Sequence, residues 1–174
     1  MAITVATDGA GTDMVLALFE RHQREIYAYL LRMVEDPMWA EDLVQEAFLR
    51  ALRHRQDLVA VENRRAWLYR VATNVALNAI KRRNRFAWLP WRAAGERASP
   101  EPDLAEAALG RGALEQALGA LPVALRAPLL LYGHYGLRVA EVAQALGITV
   151  GAAKMRLYRA RKALRSAYER GDLP

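Results

Sequence analysis

The chain has no cysteine among its 174 residues, which excludes a disulfide framework and any thiolate metal site. Histidine is scarce as well. His22, His54 and His134 are scattered, with no metal-ligand spacing and no nucleophile partnered to a base. No catalytic residue, metal or cofactor is therefore expected, and no small-molecule substrate. Long apolar runs are missing: none approaches the roughly 20 residues needed to span a bilayer. The opening MAITVATDGAGTD holds no run of signal-peptide length. These absences point away from membrane insertion and toward a reducing cytoplasm. Strand-like alternation and internal repeats are lacking too. Acidic residues are outnumbered, 19 against 25 Lys and Arg, for a net charge of +6 and a pI near 10.0. That surplus favours a polyanionic partner.

What is present is helical periodicity, and it is clearest over 138–170, RVAEVAQALGITVGAAKMRLYRARKALRSAYER. A short amphipathic helix over 139–146 carries Val142, Ala143 and Leu146 on one side. Gly147 follows, where a helix ending in a left-handed residue wants no Cβ. Thr149 then caps a second helix by taking an otherwise free backbone N–H. Val150, Ala153, Leu157, Ala160, Leu164 and Tyr168 recur every three or four residues and predict its buried stripe. The rest of that helix is basic: Lys154, Arg156, Arg159, Arg161, Lys162, Arg165 and Arg170. From Leu114 onward nine cations meet four acids, a surplus of five out of the total +6. Two helices joined by a short glycine turn, the second strongly basic, make a helix-turn-helix pattern. An amphipathic surface helix with a solvated basic side has the same local pattern.

Upstream, residues 1–13 read as a flexible tail. A helix is expected over 14–34, with Leu16, Phe19, Ile26, Leu30 and Met33 inward. Asp36-Pro37 predicts a helix start, an acidic cap followed by proline where no N–H is needed. That second helix runs to about residue 53 on a stripe of Ala40, Leu43, Val44, Ala47, Phe48 and Ala51. Its other side is polar: Glu41, Asp42, Gln45, Glu46. Residues 56–62 read as a mixed loop. A third helix over 64–83 buries Leu68, Ala72, Val75 and Ala79 and ends in KRRNR, cations at the end its dipole favours. Its outward side is expected to carry Trp67, Arg70, Asn74, Asn78, Lys81 and Arg85. Aromatic, amide and cationic groups in one row suit single-stranded nucleic acid, because rings stack on unpaired bases and cations follow phosphates.

Over 86–112 the periodicity stops. Pro90, Gly95, Pro100, Pro102, Gly110 and Gly112 predict a flexible linker between two helical units. Short helices are expected near 113–118 and 122–132, leading into the helix-turn-helix pair. The organisation is thus all-α, with two small helical domains over 14–85 and 113–174.

Three segments carry a family resemblance: AEDLVQEAFLRAL (40–52), RAWLYRVATNVALNAIKRR (65–83) and ALPVALRAPLLLYGHYGLRVAEVAQALGITVGAAKMRLYRARKAL (120–164). In this order and spacing the chain resembles bacterial RNA polymerase sigma factors of the extracytoplasmic-function (ECF) group of the sigma-70-like family. The first domain resembles sigma region two, the second region four. The resemblance implies a transcription initiation factor that binds core RNA polymerase and helps melt promoter DNA. Asp42, Gln45 and Glu46 would dock on a coiled coil of the polymerase's largest subunit, and region four would meet its flap region. The loop over 56–65 and the side bearing Trp67, Arg70, Asn74, Asn78 and Lys81 would hold the melted minus-ten element. Ala152, Lys154, Met155, Tyr158 and Arg159 would read the minus-thirty-five element, with Arg156, Lys162 and Arg165 on phosphates. An anti-sigma factor is a further partner the resemblance allows. Three positions depart from the family pattern. Arg138 stands where a capping Ser is common. Ala152 and Met155 replace hydroxyl residues and leave apolar contact with a thymine methyl as the physical option. A helix-turn-helix regulator working without polymerase is the alternative. It would need neither the acidic docking side nor the aromatic-amide helix, and it would usually dimerise on two half-sites.

Overall fold

The computed structural model describes residues 4–86 and 111–169, and among them every regular element is helical. The order is α1 (Thr4–Val34), α2 (Pro37–Arg53), α3 (Arg55–Val59), α4 (Arg64–Phe86), α5 (Arg111–Gly119), α6 (Val123–Leu129), a π-helical turn (Leu130–His134), α7 (Val139–Leu146) and α8 (Val150–Glu169). The all-α expectation holds. Residues 87–110, nearly all of the linker read from the sequence, lie outside the described residues.

The helix boundaries follow local chemistry. Asp36 caps α2 by accepting the Trp39 N–H at 3.0 Å, and Pro37 opens the helix. Asn63 does the same for α4, taking the Ala66 N–H at 2.9 Å. Gly147 ends α7 at φ 64°, ψ 37°, a left-handed conformation glycine adopts without cost. Thr149 Oγ1 accepts the Ala152 N–H at 3.2 Å and starts α8. Arg138 has no side-chain acceptor to offer α7. Glu141 compensates, its carboxylate taking the Arg138 N–H at 2.6 Å and the Arg138 guanidinium at 3.1 Å.

Four expectations need correction. Residues 4–13 are the first turns of α1 and not a tail; Gly11 is buried, and a Cβ there would sit 3.3 Å from Arg55. The loop over 56–62 contains α3, which buries Leu58. On α1, Leu16 is 43% exposed while Val15 is buried, so the inward stripe runs Val15, Ile26, Tyr29, Leu30 and Met33. On α8, Val150 and Tyr168 face solvent and Ala167 is buried, so the stripe is Ala153, Leu157, Ala160 and Ala167. A three-four pattern fixes the middle of a stripe well, but at its ends no neighbouring element remains to cover it.

In the N-terminal half α1, α2, α3 and α4 pack on one another; in the C-terminal half α6, α7 and α8 do, with α5 against α8. The two halves share one continuous core. It runs from Tyr29, Leu30, Tyr69 and Val75 to Leu130, Tyr135, Leu137, Val142 and Ala145, and α7 packs along α4. Pro128 sits inside α6 and cannot donate to the preceding turn. The wider π turn follows at once, with the Tyr135 N–H donating to Leu130 O at 3.0 Å. The extra residue re-aims the chain and sends Tyr135 into the N-terminal half.

Candidate nucleic-acid interface

The basic helix presents one clear outward side. Lys154, Met155, Tyr158, Arg159, Lys162 and Arg165 are all exposed, with Met155 at 53% and Tyr158 at 64%. Ala152 and Arg156 are half-buried at its margin. α7 packs against α8 on the side away from this row, where Ala153 is buried. An α-helix of this width fits the major groove, where side chains on its first turns reach base edges and later cations meet phosphates. Arg161 is turned aside, its guanidinium 5.0 Å from the Tyr132 ring centre.

A second side lies on α4. Arg70, Asn74, Asn78 and Lys81 are exposed in a row, while Arg85's side chain lies outside the described set. Trp67 departs from the sequence expectation. It is buried at 7% exposure, and it lines a cleft with Arg50, His54, Asp57, Arg70, Asn74 and Gln144. A ring so placed offers no free surface for stacking in this arrangement. Two apolar neighbours decide its direction: Ala66 and Val71 flank it and are buried too. Thr73, mid-helix on the opposite side, is fully buried. It donates to Tyr69 O at 2.6 Å and shares a 2.8 Å hydrogen bond with Tyr29 OH. Burial raises the Tyr29 phenol well above its ordinary range despite the Thr73 bond, so both groups stay neutral.

The polar side of α2 is open. Glu41, Asp42 and Gln45 are exposed, and Gln45 and Glu41 line a groove with Gln23, Arg24 and Tyr27 of α1. Glu46 is half-buried and pairs with Arg82 at 3.4 Å, so it is less free than Asp42.

Between these sides lies a polar seam that sequence reasoning missed. Asn63 Nδ2 donates to the Glu141 carboxylate of α7. Arg65 donates to Tyr135 O at 3.0 Å and to Glu25 at 3.4 Å. Burial raises Glu25, but the Arg65 guanidinium with His22 outweighs it and holds the carboxyl below its usual value. Glu141 is likewise held low: burial opposes ionisation, and the Arg138 N–H, the Arg138 guanidinium and Arg65 overcome it. Among the described residues no cluster of His, Asp and Glu could hold a metal ion, and no helix is long and apolar enough to cross a membrane.

Comparison with known proteins identifies this arrangement. The family description Sigma-70 region 2 matches residues 18–86, and Sigma-70, region 4 matches residues 111–164. The ECF RNA polymerase sigma factor SigL of Mycobacterium tuberculosis is 34% identical over 169 residues, covering 95% of this chain and 94% of its own. The chain belongs to the ECF sigma factors of the sigma-70 family. Two solved structures share the fold. The sigma factor RpoE of Bartonella quintana, in complex with the anti-sigma factor NepR, has a TM-score of 0.73 at 22% identity, over 88% of this chain and 95% of its own. CnrH, in complex with the cytosolic domain of CnrY, has a TM-score of 0.65 at 21% identity, over 94% and 96%.

In this sigma factor α1–α4 make region two and α5–α8 region four. The residues missed from sequence, Asn63, Arg65, Arg126, Tyr135 and Glu141, all join the two regions. Arg126 alone carried a signal: it is the one charge inside the apolar run LPVALRAPLLL.

Proposed function

We propose that this sigma factor binds core RNA polymerase in the bacterial cytoplasm and directs it to promoters through both elements, doing no chemistry itself. The carrying observation is that one chain presents two separate exposed rows suited to nucleic acid, on α8 and on α4. A free-standing regulator needs only the first. In this reading Lys154, Met155, Tyr158 and Arg159 read minus-thirty-five bases, with Ala152 at the edge of the contact, and Arg156, Lys162 and Arg165 meet phosphates. Arg70, Asn74, Asn78 and Lys81 hold the melted minus-ten strand; Trp67 supports them from beneath. Asp42, Gln45 and, less freely, Glu46 dock on the largest subunit's coiled coil. A similar fold solved with the anti-sigma factor NepR supports an anti-sigma factor as a further partner. Run-off transcription with purified core polymerase on a genomic promoter library tests the proposal. Specific transcripts should require chain and core together. Sequence-specific duplex binding by the chain alone, with no core-dependent transcript, would favour the regulator instead.

A further inference from the structure

We infer that the first turns of α1 are a positioning element for minus-ten reading, seated on α3 through Gly11 so that the outer side of α3 holds one wall of the cleft beside the α4 row. The packing follows from the geometry; its consequence for promoters rests on the proposed function.

The sequence puts two glycines where a helix favours neither. Gly9 and Gly11 lie two apart inside α1, and glycine is the poorest helix former after proline. Their surroundings differ. A Cβ at Gly9 would meet nothing within 4 Å. Gly11 is buried, and a Cβ there would stand 3.3 Å from both Cγ and the backbone O of Arg55. A residue without a side chain lets α1 come this close to the α3 backbone. α3 needs the support. Its five residues, Arg55–Val59, are too few for a helix to persist by itself. Leu58, fully buried, anchors it in the core. Arg55 Nη1 ties it back to α2 by donating to Leu52 O at 3.1 Å. α1 packs against it from the remaining side.

The outer side of α3 is open. His54, at the joint of α2 and α3, and Asp57 are exposed and pair at 3.4 Å. They line a cleft of about 520 Å³ with Trp67, Arg70 and Asn74 of α4, within the roughly 300–1,000 Å³ of small-ligand sites. An unpaired base is read in such a place by hydrogen bonds to its edge, and His54, Asp57 and Asn74 supply donors and acceptors. Hydrogen bonds weaken steeply with poor distance and angle, so the two walls must keep their spacing. α4 is held by a long buried side that includes Ala72, Val75 and Ala76. α3 is short and takes its place from Leu58, Arg55 and α1. A bulky residue at position 11 would push on Arg55, one residue from His54 and two from Asp57, and shift the α3 wall while α4 stays. Gly11 does not line the cleft; it acts through α3 and is a positioning residue.

The test uses the full chain carrying Gly11→Leu or Gly11→Ala, with Gly9→Leu and Gly9→Ala as matched controls. Each matched pair gains the same helix propensity, so a difference within it reports contact with α3. Holoenzyme made with each variant selects open complexes from a promoter library randomised at the minus-ten element and from another randomised at minus-thirty-five. Hydrogen exchange of the free chain reads the α3 amides. Gly11→Leu should lower discrimination among minus-ten bases several-fold, and Gly11→Ala should act in the same direction by less. Minus-thirty-five preference and affinity for core polymerase should stay at wild-type levels, and the α3 amides should exchange faster in both variants. The Gly9 controls should match wild type. Equal behaviour of folded Gly11 and Gly9 variants overturns the proposal, as does equal loss at both promoter elements. If Gly11→Leu does not fold, Gly11→Ala decides by the same comparison. Faster α3 exchange with unchanged minus-ten preference overturns the role in reading. If no form of the chain supports transcription with core polymerase, the proposed function fails, and exchange still decides whether α1 holds α3.

Discussion

Replacing Arg126 by Ala should cost this fold more than any other single charge removal. The guanidinium donates to four backbone carbonyls, Arg32, Met33, Gly119 and Leu121, and to the Glu35 carboxylate. Removing it strands the carbonyls. Each buried, unpaired acceptor costs about 1–3 kcal/mol, and the lower end applies where water enters the hole. Glu35 is half in water and rehydrates, so it adds little. Against this stands relief: a buried guanidinium no longer has to be desolvated, and its Nε, which has no partner, vanishes with it. Four acceptors at the low end, less that relief, leave about 3 kcal/mol. For a chain of this size about 2–4 °C accompany each kcal/mol, so Tm should fall by about 6–12 °C. Arg126→Lys keeps the charge but replaces a planar fork with one point donor, and should fall between. The exposed Arg159→Ala is the control, expected within about 0.5 kcal/mol of wild type. Calorimetric melting of the four proteins decides it. An Arg126→Ala melt within about 2 °C of the Arg159→Ala control would refute the reasoning, because water would then satisfy those carbonyls as well as the guanidinium does.

Further outcomes follow from the exposed rows and from the seam. Asp42→Lys with Gln45→Lys should abolish binding to core polymerase in a pull-down at unchanged Tm, since both side chains are free; unchanged affinity removes α2 as the docking side. Asn78→Ala should reduce open-complex signal in permanganate footprinting more than closed-complex binding, because unpaired bases exist only after melting; equal loss at both stages would argue for a general binding role. In holoenzyme binding to a randomised minus-thirty-five library, Arg159→Ala should relax preference at particular bases by about 1–3 kcal/mol. Lys162→Ala should weaken every sequence alike and flatten the salt slope by about 0.9, and the reverse assignment would mean that α8 is rotated in the groove. Glu25 and Glu141 have pKa values below the ordinary 4.5. Their stabilisation is therefore complete above that value and is lost as pH falls through the lower folded values. Melts between pH 3 and 7 should show this acid loss, and Glu141→Gln should shrink it.

The helices themselves were legible because their signals are local. Asp36-Pro37, Gly147 and Thr149 each cap through a partner within three residues, and the stripes of α2 and α4 repeat at helical spacing. Outcomes that depend on a distant neighbour were not. Leu16 and Val15 are equally apolar, and only the packing of α2 and α3 against α1 decides which is covered. Trp67 follows the same rule: its spacing places it beside Arg70 and Asn74, yet a large ring at the margin of a polar row goes to whichever side offers apolar surface.

The seam between the regions is the harder case, and its chemistry explains why. Asn63, Arg65, Glu115, Glu141 and Tyr135 are polar or amphipathic residues, and their partners lie from 40 to 103 positions away where the structure pairs them across the seam or beside it. No periodicity marks such pairs, since each is a single contact and not a repeating face. Arg126 is the exception in kind. One guanidinium within an apolar run cannot be buried without acceptors, so the sequence alone requires several carbonyls or a carboxylate nearby. What it cannot supply is that two of those carbonyls and the carboxylate belong to the other region. A lone cation in an apolar run is therefore a sign of a built contact, and the place to look for it is the carbonyls of a helix's last turn. In this sigma factor that turn is the last of α1, closed by a left-handed glutamate, Glu35 at φ 58°, and a guanidinium borrowed from region four.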